Sequence, residues 1–174
     1  MARVSLVEKE QAQPMVKELY NKNKAKTGRI LNLWKIMGHC PYIGLNFQRL
    51  GNSILKGEGL SPKLRELAIL RVGNLAQSEY EFKQHTTIAL QCGIAQNQID
   101  EIPDWAVSEQ FNQQERAVLA YTDEVAQDIR VRDETFARLR TFLNEAEIVE
   151  LTAAIGYYGM ACRILVALEV ELDP

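Results

Sequence analysis

An all-α fold, a compact bundle of about seven helices, follows from three features of the sequence. Apolar residues recur at three- and four-residue intervals through almost every segment longer than about ten residues. No run of alternating β-branched residues stands out. Capping signals divide the chain into pieces of ordinary helix length. The 174 residues, 47% apolar and 25% charged, have the balance of one soluble domain spanning residues 1–174.

Taken in order, Val7 to Asn23 reads as an amphipathic helix, and Pro41 to Leu55 as another that opens after the His39-Cys40-Pro41 turn. Ser61 followed by Pro62 is a cap followed by proline in the first helical position, where a missing N–H costs nothing. The helix it opens runs to about Gly73 and buries Leu64, Leu67, Ala68 and Leu70. The next starts near Ser78, presents Phe82, Ile88 and Ala89, and stops at Gly93, a residue suited to a left-handed C-cap. Asn112 with Glu115, and Asn144 with Glu147, have capping-box spacing. The first opens a helix to about Asp128, and the second a helix from Glu145 to Glu171 in which Gly156 and Gly159 permit close contact or a kink. A shorter helix between Asp133 and Leu143 links them.

Charge and composition narrow the function classes. Lys and Arg number 20 against 23 Asp and Glu, a net charge of -3, so no broad basic field exists for nucleic acid or anionic lipid. Neither nucleic acid nor membrane is expected as a partner. The N-terminus, with Arg3, Glu8, Lys9 and Glu10, does not resemble a secretion signal, and apolar runs such as Ile164 to Leu168 are too short to cross a bilayer. A cytoplasmic protein is expected. Cys40, Cys92 and Cys162 are isolated, with no C-x-x-C redox or zinc pair, and read as buried thiols acting as small apolar residues. His39 beside Cys40 lacks further ligands at metal-binding spacing, so it reads as a loop residue, and no metal site is expected. Trp34 and Trp105 read as core or interface anchors.

The stretch from Leu60 to Gly93 carries the chemistry. Glu81 and His85 are four residues apart, one turn apart on one helix face, within hydrogen-bonding reach. A carboxylate beside an imidazole raises its pKa and fixes its orientation. Tyr80 is adjacent and supplies a phenol. Glu66 stands among Leu64, Leu67, Ala68, Ile69 and Leu70, where burial raises a carboxyl pKa and makes a candidate acid or base. Simpler roles are open for each. Ser78 to Glu81 is also capping-box spacing, Glu66 can pair with Arg71 or Arg163, and His85 can be a satisfied core histidine. A short echo, Arg65-Glu66-Leu67-Ala68 against Val149-Glu150-Leu151-Thr152, does not extend to a second acid-histidine pair, since Leu165 and Glu169 fall opposite Glu81 and His85.

The pattern Leu60-Ser61-Pro62, Arg65-Glu66-Leu67-Ala68-Ile69-Leu70, Tyr80-Glu81-Phe82, His85 and Gly93-Ile94 resembles the core motif of the carboxymuconolactone decarboxylase family, to which alkylhydroperoxidase D belongs. The resemblance covers about residues 41–105, and the segments around His39 to Leu55 and Gly156 to Glu169 resemble the longer, peroxidase-related members. It implies an all-helical AhpD-like fold, a site lined by Glu66, Tyr80, Glu81 and His85, no cofactor, and homo-oligomeric assembly as a trimer or hexamer. In the peroxidase branch a C-x-x-C pair opens the histidine helix. Here those positions hold Ser78 and Glu81, and a serine hydroxyl cannot undergo disulfide chemistry.

Glu81 in place of a cysteine makes the site resemble the decarboxylase branch. The leading expectation is therefore a cofactor-free enzyme doing acid-base chemistry on a small carboxylated or carbonyl, lactone-type substrate. Glu66, Glu81, His85 and Tyr80 would be the catalytic set, and Arg71 and Arg163 the clamps for the substrate carboxylate. Two other readings stay open. One is a peroxidase working through an unpaired thiol such as Cys92, which requires a depressed thiol pKa. The other is an oligomer that binds a ligand or partner without turnover.

Overall fold

The structure, a computed structural model, describes residues 2–57 and 59–173. Among the described residues there are nine α-helices, one π-helical turn and no strand, so the all-α expectation holds. The chain forms two compact units, residues 1–53 with 164–174, and residues 54–163.

The first unit contains α1 (Pro14–Thr27), α2 (Asn32–Met37) and most of α3 (Pro41–Leu55). The helix expected from Val7 begins only at Pro14, because a proline ring within a helix removes a hydrogen bond and clashes with the preceding turn. Ala12, Val16, Leu19 and Tyr20 form its core, with Val7, Ile30, Trp34 and Leu45 packed against them. Tyr20 donates its hydroxyl to the Val7 carbonyl at 2.6 Å. A side chain at Gly38 would meet that same hydroxyl, so only glycine fits there. Trp34 stacks edge-on against Phe47, as expected of a core anchor. His39 lies in the turn before α3, its ring Nε2 2.8 Å from the Ser5 carbonyl oxygen.

The second unit carries α4 (Pro62–Leu75), α5 (Glu79–Gln91), α6 (Gln96–Asp100), α7 (Gln113–Asp123), the π-helical turn at 124–128, α8 (Asp133–Leu139), and α9 (Glu145–Ala167) up to residue 163. Helix α4 is its centre and packs chiefly against α5 and α7. Residues 65–73 are all buried, the charged Arg65, Glu66 and Arg71 among them. Ser61 occupies the N-cap position, though its side chain makes no cap hydrogen bond, and Pro62 starts the helix. Leu67, Leu70, Ala89, Ile94, Ile99, Ile102, Phe111 and Leu119 form the core, with Trp105 packed against it. Each fully buried Leu or Ile contributes about 1.5–3 kcal/mol.

Two glycines bracket α5 at its contact with α4 and at its end. A Cβ on Gly73 would stand 3.4 Å from the Phe82 backbone nitrogen, an ordinary contact distance, so the start of α5 passes directly over the end of α4 there. Gly93 takes φ 85°, and the Ile94 N–H then closes on the Ala89 carbonyl at 3.0 Å, ending α5 as the sequence predicts. The Asn112–Glu115 and Asn144–Glu147 boxes also form, each with both reciprocal hydrogen bonds.

The count exceeds seven because α2 and α6, of six and five residues, are too short to show a period. Helix α7 ends at Asp123 rather than continuing as α-helix to Asp128. The buried Glu124 accepts from the Arg132 backbone and guanidinium and from Thr135, which draws the last turn into π geometry. Helix α9 ends at Ala167, where Glu169 adopts φ 50° and the chain turns back. Its 23 residues are by length and composition apolar enough to cross a membrane, contrary to the expectation drawn from uninterrupted apolar runs. Half of that stretch is buried in the folded chain, as in a core helix.

Candidate functional site

Three of the predicted residues meet. His85 on α5 points its Nδ1 at Glu66 Oε2 on α4, 2.7 Å away, and its Nε2 at Glu81 Oε1 on its own helix, 3.2 Å away. All three are buried, and Glu66 is 0% exposed. The Ser78 hydroxyl accepts from the Glu81 backbone N–H at 3.5 Å, while the Ser78 N–H donates to the Gly73 carbonyl. The Glu81 carboxylate is therefore directed to the imidazole, not back to its helix start.

A neutral imidazole has one N–H and one lone pair, so it cannot donate to two carboxylates at once. The imidazolium can. Burial alone would lower the His85 pKa, but hydrogen bonds to Glu66 and Glu81, with their charges, outweigh it and lift the pKa to about 9. Tyr158 on α9 closes one side of the ring edge-to-face, with centroids 4.7 Å apart, and Tyr157 stacks on Tyr158. Burial, then Glu81 and Glu66, hold the Tyr158 phenol well above its ordinary pKa, so it stays neutral.

Arg65 completes the cluster. Its side chain is 7% exposed, and its Nε lies 3.7 Å from Glu66 Oε1. Neither atom has a hydrogen-bond partner among the described residues. Two carboxylates, one imidazolium and one guanidinium thus share a buried volume with no net formal charge. Sequence reasoning gave no role to Arg65, which it read only within the short echo and the family pattern, nor to Tyr158. The signal for Arg65 was a cation embedded in a stretch otherwise buried on all sides.

The other predicted residues are elsewhere. Arg71, expected as a substrate clamp, has its guanidinium taken up by protein groups. Its guanidinium grips Asp123 with two nitrogens, at 2.6 and 3.0 Å, and gives its third to Asn74, Ile102 and Pro103. Trp105 donates to the same Asp123 at 3.0 Å. Arg163 is exposed and folds back on the Gly159 carbonyl of its own helix at 2.9 Å. Tyr80 is buried on α5, but adjacent helical positions diverge by about 100°, so it does not share the Glu81 face. The phenol at the imidazole is Tyr158.

Cys92 and Cys162 are poorly suited to nucleophilic chemistry. Burial pushes the Cys162 pKa up to about 12, and Glu81 adds to this against a hydrogen bond with Ser78. Burial and the charge of Glu66 also raise Cys92, where the thiol reading requires depression. Cys40 is exposed on the first unit and Cys92 is half-buried, so of the three thiols expected to be buried only Cys162 is. Among the described residues, no group of three His, Cys, Asp or Glu has a metal-holding arrangement.

Comparison with known proteins places this geometry. Residues 41–124 match the model of the carboxymuconolactone decarboxylase family, beyond the expected stretch to Trp105 and through α7. No curated protein matches. Among solved structures, an uncharacterized peroxidase-related protein from Ralstonia eutropha with an alkylhydroperoxidase AhpD core has a TM-score of 0.88 at 16% identity, covering 99% of this chain and 92% of that one. The debrominase Bmp8, solved with 2,3,4-tribromopyrrole, has a TM-score of 0.83 at 20% identity, covering 99% and 94%. A protein of unknown function from Agrobacterium tumefaciens, grouped with the antioxidant defence protein AhpD, has a TM-score of 0.75 at 24% identity, covering 80% and 96%. At these identities the likeness to solved structures is one of fold. The helices that build the Glu66–His85–Glu81 cluster thus lie in a stretch, residues 41–124, that is similar to the carboxymuconolactone decarboxylase family, and the chain has the AhpD-like, all-helical fold.

Proposed function

We propose that the protein is a cofactor-free acid-base enzyme acting on a small carboxylated or carbonyl, lactone-type substrate, with His85 as general acid. The observation that carries this reading is the imidazole held between two carboxylates at 2.7 and 3.2 Å. The two contacts are unequal. The shorter one, to Glu66, fixes the ring through Nδ1, and the longer one leaves the Nε2 proton easier to redirect. In a decarboxylation the substrate carboxylate departs as carbon dioxide and its bonding electrons delocalise into the neighbouring unsaturated system. His85 Nε2–H then protonates the resulting carbanion, the Nδ1–H stays with Glu66, and Glu81 relays a replacement proton from solvent.

The thiol-peroxidase reading has less support, because Cys92 and Cys162 are both held toward their protonated forms. A direct test follows carbon dioxide release from lactone acids and 3-oxo acids by the wild type beside His85→Asn and Glu66→Gln. Release that both substitutions abolish supports the proposal. Release that survives them, or no release from any such substrate, overturns it.

Assembly of copies of the chain as a trimer or hexamer belongs to the same reading. On α9, Val149, Ala153, Gly156 and Met160 are exposed at spacings of four, three and four residues, one continuous helix face. Val149 is 67% exposed and Met160 42%. Small residues at its middle allow close approach of another helix, and such a face is better covered than left in water.

A further inference from the structure

A cavity in the same unit, lined by none of the acid-histidine cluster, has chemistry of its own. It measures about 580 Å³, within the range of small-molecule sites. Helix α7 supplies Gln113, Gln114, Arg116, Ala117 and Ala120, the end of α8 supplies Arg138, and Trp105, Thr141 and Phe142 complete the wall.

No acidic residue lines it, and two arginines do. Arg116 is immobilised by main-chain carbonyls, donating to Phe111, Trp105, Ala106 and Ser108. Those contacts hold its position without cancelling its charge. Arg138 is exposed at the cavity, and no ion pair to either arginine occurs among the described residues. The first turn of α7 adds the positive end of a helix dipole. The carbonyl of Arg138, which would oppose an anion, already accepts from the Thr141 hydroxyl at 2.7 Å. Apolar surface comes from Trp105, Phe142, Ala117 and Ala120, and the Trp105 ring is fixed through its bond to Asp123.

We propose that this cavity binds a small aromatic carboxylate, its ring on Trp105 and Phe142 and its carboxylate held by Arg138 within the fixed positive field of Arg116. Aromatic faces and alanines favour a ring over a flexible chain, and a mobile guanidinium beside a fixed one favours a carboxylate over a neutral group.

The test is calorimetric titration of the full-length protein with sodium naphthoate, and with the neutral naphthylmethanol as control. One binding event per chain is expected for naphthoate, weakened about tenfold or more in Arg138→Gln and partly restored in Arg138→Lys. Quenching of Trp105 fluorescence, read in a Trp34→Phe background, should accompany it. His85→Asn should leave the binding unchanged, which separates this site from the acid-histidine cluster. No naphthoate binding, equal binding of naphthylmethanol, indifference to Arg138→Gln, or loss of binding in His85→Asn would each overturn the assignment.

Discussion

Glu66 and His85 lie nineteen positions apart on consecutive helices, yet their side chains meet at 2.7 Å, both buried. The contact depends on Gln77, at φ 51°, which turns the chain sharply between α4 and α5. Removing either partner leaves the other buried without its counter-charge. Glu66→Gln and His85→Asn are both expected to abolish turnover, and each to lower stability by about 3 kcal/mol. Denaturant titration beside the carbon dioxide assay separates the two effects, since a folded but inactive variant establishes a chemical role.

The proton on His85 makes stability pH-dependent. Its pKa is about 9 in the folded protein against 6.5 in the unfolded chain. The stabilisation is complete below pH 6.5 and disappears as pH rises through 9, a difference of about 3 kcal/mol. Urea unfolding at about pH 6 and about pH 10 should therefore show the gap between wild type and His85→Asn narrowing at the higher pH. A constant gap would mean that the ring is neutral in the native state.

Arg65 is expected to act through Glu66. Arg65→Met should leave the cluster with an uncompensated negative charge and cost about 3 kcal/mol, while Arg65→Lys should restore part of it. The nitrogen chemical shifts of the His85 ring provide the readout. They should follow the pH with a changed midpoint in Arg65→Met, which loss of packing alone would not produce.

Arg71 makes the opposite case. Its contacts tie α4 to α7 and to the carbonyls of Ile102 and Pro103, so Arg71→Ala should destabilise by about 3 kcal/mol. It should also alter Trp105 fluorescence, because Asp123 holds both residues. The Michaelis constant should not change, and a large rise in it would restore Arg71 as a substrate clamp.

Hydroperoxide consumption with a dithiol reductant is expected to be absent, and equally so in a variant lacking all three cysteines. Cysteine-dependent turnover that also required His85 would return the protein to the peroxidase reading.

Much of this arrangement was legible in the sequence where a local rule decides it. Ser61-Pro62, Gly93 and the two asparagine-glutamate boxes mark helix ends because caps depend on neighbours three or four residues away. The Glu81–His85 pairing follows from helical spacing for the same reason. Partners set by tertiary packing were not legible. The choice of Arg65 over Arg71 near Glu66, and of Tyr158 over Tyr80 beside the imidazole, depends on how α4, α5 and α9 are rotated. The π-helical turn after Asp123 depends likewise on a buried carboxylate finding Arg132 and Thr135.

The cluster of Arg65, Glu66, Glu81 and His85 cancels its own charge inside the protein, and this fixes how it responds to dissolved ions. Screening in ordinary buffers acts over about 10 Å through water and weakens exposed pairs most. Four groups that are buried and mutually neutralised present little field to the solvent and offer no surface on which chloride or potassium can compete. The chemistry of this site should therefore run at the same rate in dilute buffer and in concentrated salt.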